Sequence, residues 1–84
     1  MSASIRLKTA IPGPRSQELA ARRDRAVPRG IGHSTPVYAA SASGVLVTDV
    51  DGNVFLDFAG GIGTLNVGHT NPDVVRAAAD QGQM

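Results

Sequence analysis

Hydrophobic and polar positions divide the chain into a sparse first third and a dense middle. From Val45 to Val67, 11 of 23 residues are large and apolar, against six of the first 36. Within the dense block, Val45-Leu46-Val47-Thr48 and Val54-Phe55-Leu56-Asp57-Phe58 flank Asp51-Gly52-Asn53. A turn signal between two β-rich runs predicts a hairpin. Alternation along the second run puts Val54, Leu56 and Phe58 on one face, with Phe55 and Asp57 on the other. Val37-Tyr38-Ala39 follows Pro36, which biases Thr35 away from helix, and predicts a further short strand. Residues 37–58 therefore read as antiparallel strands.

On either side the pattern changes. Residues 1–15 show no period and carry Pro12-Gly13-Pro14, so they read as an extended arm. Residues 16–27 predict a helix, with Ser16 as N-cap and Glu18 in the first turn, where a negative charge suits the helix dipole. Leu19, Arg23, Ala26 and Val27 form its narrow stripe, and Pro28 and Gly30 end it. Residues 59–70 are a Gly-rich loop. Residues 71–84 begin a second helix, with Asn71 as N-cap, Pro72 at the first helical position and Asp73 in the first turn.

Eighty-four residues allow one small domain. A complete domain spreads its core residues over several facing elements. Here one block carries them, so the chain reads as an incomplete segment of something larger. With no Cys there is no disulfide, thiolate metal site or Cys nucleophile. No run nears the roughly 18 consecutive apolar residues of a membrane-spanning helix, and the start lacks the apolar stretch of a secretory signal. Net charge is only +1, but residues 1–30 carry seven Lys/Arg and two acids while residues 31–84 carry one Arg and five Asp. Arg22, Arg23 and Arg25 have no aromatic among them, which favours a solvated or subunit-facing surface over nucleic-acid binding. Glu18 and Asp24 argue against an organelle transit helix, since such peptides are poor in acids, and the expected location is cytoplasmic.

Candidate chemistry is thin. Gly63 to Thr70 falls one residue short of a phosphate-binding loop, because His69 stands where the Lys that reaches the β- and γ-phosphates is needed. Gly61-Ile62-Gly63 lacks the third Gly of a dinucleotide fingerprint. Asp49, Asp51, Asn53 and Asp57 resemble a calcium loop at first sight, but Gly52 and Gly60 fall at the wrong positions, and a turn is the better reading. His33 and His69 have no ligand spacing, so no metal site is expected. Ser16, Ser34 and Ser41 lack a nucleophile-elbow context. The single lysine, Lys8, sits in the arm, a poor place to desolvate an amine. From the residues alone, a non-catalytic β-hairpin interaction module and, less well supported, a nucleotide binder remain open.

The run from Asp49 to Pro72 narrows this, through Asp49-x-Asp51-Gly52-Asn53, Leu56-Asp57-Phe58, Gly60-Gly61-Ile62, Asn66-x-Gly68-His69 and Asn71-Pro72. With Val74, Val75 and Ala77, it resembles the N-terminal region of class III aminotransferases. Ile11 to Ser16, Arg22-Arg23, Val27 and Pro36-Val37-Tyr38 are similar to the N-terminal helix and first strand of bacterial members. The resemblance runs from about residue 9 to residue 81. It implies an α/β fold, the N-terminal part of a fold-type I pyridoxal-phosphate transferase, in a homodimer or higher oligomer. The implied reaction moves an amino group from 4-aminobutyrate to 2-oxoglutarate, with pyridoxal phosphate as electron sink. Acetylornithine- or ornithine-type ω-amino donors are the alternative. The family's Schiff-base Lys, ring-nitrogen Asp, phosphate loop and carboxylate-binding Arg would all lie after residue 84. This chain alone is therefore expected to hold no catalytic or cofactor-binding residue and to be inactive, with neither nucleic acid nor membrane as partner. The positions that carry over are Gly61 and Ile62, which in the family line the substrate pocket. Ornithine-using relatives look to have Tyr where Ile62 stands, so Ile62 favours a donor without a second amine.

Overall fold

The computed structural model describes residues 4–32, 35–60 and 66–84. Two helices, α1 (Pro14–Ala26) and α2 (Pro72–Gly82), flank three strands, β1 (Ala39–Ser43), β2 (Leu46–Asp49) and β3 (Val54–Leu56). The strands form one antiparallel sheet in the order β1-β2-β3. β2 and β3 are the hairpin expected around Asp51-Gly52-Asn53, with Val47 opposite Phe55. β1 pairs with β2 from Ala39 opposite Asp49 to Ser43 opposite Leu46, with a register shift between Ala39 and Ser41. The arm adds a bridge beyond β3, where Arg6 and Val54 exchange backbone bonds. The free edge of the hairpin is thereby partly paired.

Among the described residues the dense apolar block does not close into a core. No hydrophobic side chain is buried among the described residues, and the three side chains fully removed from solvent are Ser16, Asp49 and Asn53. Leu46, Val47, Phe55 and Leu56 are only half-buried. β3 ends before Phe58, whose side chain is 92% exposed and does not join Val54 and Leu56 on a strand face. The reason is local: the Asp57 carboxylate accepts the Gly60 N–H at 2.9 Å, which turns the chain away from the sheet.

In place of an apolar core, the hairpin turn is a polar hub. Asp49 Oδ1 accepts the N–H groups of Asp51 at 2.9 Å and Asn53 at 2.8 Å. Asn53 Oδ1 accepts the N–H groups of Lys8 and Thr9, while Nδ2 donates to Thr9 Oγ1 at 2.7 Å and Asp49 Oδ2 at 3.0 Å. All four hydrogen-bonding capacities of that amide are used, which is what lets it be buried. The arm expected to be unpatterned is thus tied down at residues 6 to 9, although the Lys8 side chain is exposed.

The start of α1 differs from the sequence expectation. The N-cap is Gly13, Pro14 opens the helix, and no acid lies in the first turn. Glu18 therefore sits in the second turn. Ser16 is not the cap: its hydroxyl accepts the Tyr38 N–H at 3.2 Å and the residue is buried. Capping comes from 36 residues away. Asp51 Oδ1 accepts the Arg15 N–H at 2.7 Å and Oδ2 accepts the Ser16 N–H at 3.0 Å, the two bonds an N-cap side chain would make. Gly13 has no side chain because a Cβ there would overlap the Asp51 carboxylate. At the other helix the expected cap is present: Asn71 Oδ1 accepts from Asp73 and Val74, with Pro72 in the first turn.

Removing the remote cap should fray α1. Asp51→Ala is expected to cost about 1 kcal/mol of local stability, roughly a fivefold faster exchange of the Arg15 and Ser16 amides. Exchange measured by NMR checks this, and unchanged protection of both amides would show that the cap is not made in solution.

Candidate functional site

The pocket-lining pair expected from the sequence, Gly61 and Ile62, lies outside the described residues. What the structure describes is the frame on either side of them. Asp57 leaves β3 with its N–H donated to the Val45 carbonyl at 2.8 Å. Its Oδ1 takes the Gly60 N–H, and its Oδ2 lies 2.6 Å from His69 Nε2. Both side chains are largely buried, 17% and 21% exposed. An ionised carboxylate can only accept, so Nε2 carries the hydrogen.

His69 is also held by its backbone. It exchanges two bonds with Gly44, the turn residue between β1 and β2, at 3.0 and 2.9 Å. Thr70 Oγ1 donates to the Ala42 carbonyl at 3.0 Å. Gly68 has φ +82°, and a Cβ there would meet the Gly44 carbonyl oxygen at 3.0 Å, so this crossing needs glycine twice over. Phosphate-loop-like chemistry is thus not what His69 does here: its ring is committed to Asp57.

Two carboxylates are shifted. Burial pushes the Asp49 carboxyl up, but the Asn53 side chain and the N–H groups of Asn53, Asp51 and Gly52 more than reverse this, leaving it below its ordinary value. At Asp57, the His69 hydrogen bond is the main cause of lowering, helped by the Gly60 N–H, the His69 charge interaction and the Ala59 N–H against a smaller desolvation cost. Neither carboxylate is arranged to take up a proton near neutral pH. Both serve as fixed acceptors.

Among the described residues, none fits pyridoxal phosphate. Its phosphate would seek free N–H groups at a helix N-terminus. At α1 those groups face Asp51, and at α2 they face Asn71. The one lysine, Lys8, lies exposed along Gly52, within 3.3 Å of where a Cβ would stand there. No pocket desolvates its amine.

Comparison with known proteins places this frame. Residues 28–84 match the family model of class-III aminotransferases. The chain belongs to the class-III aminotransferases. A 4-aminobutyrate aminotransferase of Mycobacterium leprae is 46% identical over 78 residues, covering 93% of this chain and 18% of that protein. A 5-aminovalerate aminotransferase of Pseudomonas aeruginosa is 47% identical over 66 residues, covering 79% of this chain and 16% of that protein. Among solved structures, an omega-transaminase from Sphaerobacter thermophilus superposes with a TM-score of 0.73 at 32% identity, over 84% of this chain and 18% of that one. The chain thus spans under a fifth of the class-III aminotransferases it matches. An α/β segment of a transaminase is the architecture observed. The Asp57–His69 pair escaped the sequence reading, where the only available signal was an acid and a His bracketing the Gly-rich loop.

The lowered carboxylates set a pH dependence. A group whose pKa falls on folding contributes stability that is full above its unfolded value and lost as pH drops through its folded one. Contacts at Asp49 and Asp57 should therefore hold at neutral pH and loosen only below about pH 4. Carboxyl-carbon NMR titration should place both midpoints below the ordinary Asp value. In His69→Ala the Asp57 midpoint should rise while that of Asp49 stays.

Proposed function

We propose that this chain is the N-terminal part of a pyridoxal-phosphate enzyme that moves an amino group from 4-aminobutyrate to 2-oxoglutarate. The observation that carries the reading is the 46% identity to a 4-aminobutyrate aminotransferase across 93% of the chain. In this reading the protein is cytoplasmic and works as a homodimer or higher oligomer. Residues beyond 84 hold the cofactor and carry the chemistry, as the family resemblance implies. The part assigned to this chain is donor recognition. By the family resemblance Gly61 and Ile62 line the donor pocket, with Ile62 against the methylene chain and offering nothing to a second amine. The 5-aminovalerate aminotransferase relative keeps a donor one methylene longer as a second reading.

Two measurements test this. Alone, the 84-residue chain should be inactive and should give no saturable borohydride-fixed adduct of pyridoxal phosphate at Lys8. Stoichiometric labelling with turnover would overturn that. In the full-length holoenzyme, Ile62→Tyr should lower kcat/KM for 4-aminobutyrate and shift preference toward ornithine, whose second ammonium can donate to the phenol oxygen. One pocket contact of this size is worth about 10–200-fold in discrimination. If both donors stay within about twofold of the parent, Ile62 is a packing residue and its assignment fails.

A further inference from the structure

Asp51-Gly52 is the one place in the sequence where an Asp or Asn precedes a glycine. That pairing carries a chemistry of its own. The Gly52 nitrogen, with no Cβ beside it, can attack the Asp51 carboxyl carbon. A bond forms between nitrogen and Cγ, a carboxyl C–O bond breaks, and one water leaves with the amide and carboxyl protons. The product is a five-membered succinimide, which a second water opens. Cleaving the nitrogen–Cγ bond returns aspartate. Cleaving the bond from nitrogen to the Asp51 backbone carbonyl leaves isoaspartate, with the chain now running through Cγ. Water is the only co-reactant, and mass and charge are unchanged overall.

In the folded chain both reacting groups are engaged elsewhere. The Asp51 carboxylate is turned to the start of α1, where it accepts the Arg15 N–H at 2.7 Å and the Ser16 N–H at 3.0 Å. The Gly52 N–H donates to the Asp49 carbonyl at 3.1 Å. Gly13 leaves the seat open, since a Cβ there would stand 2.4 Å from Asp51 Cγ. We propose that Asp51-Gly52 is a latent isoaspartate site guarded by the N-terminus of α1, and that modification there unseats α1. The carboxyl and the nitrogen are free to meet only when α1 and the turn open locally, so the rate follows the open fraction. The damage is self-sustaining. Isoaspartate lengthens the turn backbone by one carbon and shortens the side chain by one, so the carboxylate no longer reaches both N–H groups. None of this depends on the proposed transamination.

The test ages the full-length protein at neutral pH, folded and in guanidinium chloride. Isoaspartate at position 51 is read by peptide mapping with electron-transfer fragmentation and by labelling with an isoaspartyl methyltransferase. The unfolded chain should form it at Asp51 faster than at Asp49, whose neighbour Val50 is β-branched. The folded chain should form it at least about tenfold more slowly than the unfolded one. Gly13→Ala, which displaces the carboxylate from its seat, should bring the folded rate up several-fold. Gly52→Ala should slow the reaction in guanidinium chloride, because a Cβ then crowds the attacking nitrogen. The isoaspartyl form, separated by ion exchange, should show faster amide exchange at Arg15 and Ser16, with Asp73 and Val74 at the start of α2 unchanged. A folded rate within about twofold of the unfolded one would overturn the guard. So would a folded Gly13→Ala that ages like the parent. Parent-like exchange at Arg15 and Ser16 in the isoaspartyl form would overturn the unseating of α1. If Gly13→Ala does not fold, the folded–unfolded comparison and the exchange of the isoaspartyl form decide.

Discussion

The rest of the structure depends on the carboxylates of the hairpin turn. Asp49 closes the turn on itself, Asn53 reaches out to the arm, and Asp51 reaches out to α1. Two segments distant in sequence, the arm and the start of α1, are thus fixed to one five-residue turn by hydrogen bonds rather than by apolar contact. Each bond adds only about 1 kcal/mol net, but leaving one of these buried groups unpaired would cost about 1–3 kcal/mol. The hub is therefore more a specifier of arrangement than a reservoir of stability. In the observed docking of the arm and α1, its donors and acceptors are satisfied together.

What the hub cannot supply is hydrophobic driving force. Ile5, Leu7, Val45, Val67, Val74 and Val75 are each more than half exposed, and neither helix buries an apolar face among the described residues. The Tyr38 hydroxyl is removed from solvent without a hydrogen-bond partner among those residues. Conformational entropy opposes ordering at about 1–2 kcal/mol per residue. Half-exposed strands and an unburied α2 do not offset that. In the proposed reading, in which this chain is part of a longer transaminase, further chain would cover these faces.

Local signals were legible in the sequence and remote ones were not. Asp51-Gly52-Asn53 between two alternating runs was enough for the hairpin, and Asn71-Pro72-Asp73 was enough for the start of α2. Both depend on neighbours within a few residues. The start of α1 was misread because the serine that looks like its cap is used elsewhere, and the true cap arrives from across the sheet. No periodicity reports a bond between residues 15 and 51. Phe58 fits the strand alternation, but Asp57 bends the chain before alternation can apply. The aminotransferase resemblance, which the family match bears out, points to Gly61 and Ile62 as pocket positions that lie outside the described residues, and it says nothing of the Asp57–His69 pair.

The two acidic devices divide the labour of the fold in a way their chemistry explains. Asp51 accepts from backbone N–H groups only, and Asp49 from two backbone N–H groups and the Asn53 amide of its own turn, so their geometry is set mainly by chain path. Asp57 accepts from one backbone N–H and one imidazole, so one half of its grip depends on a side chain that substitution can tune. Backbone donors hold such a scaffold in a way that does not depend on the identity of the donating side chain. A side-chain partner makes the grip of Asp57 sensitive to what stands at position 69. The glycines agree with this division. Gly13 and Gly68 lack side chains where acid or backbone must come close, one beneath each device, and neither position leaves room for a Cβ without moving the contact it serves.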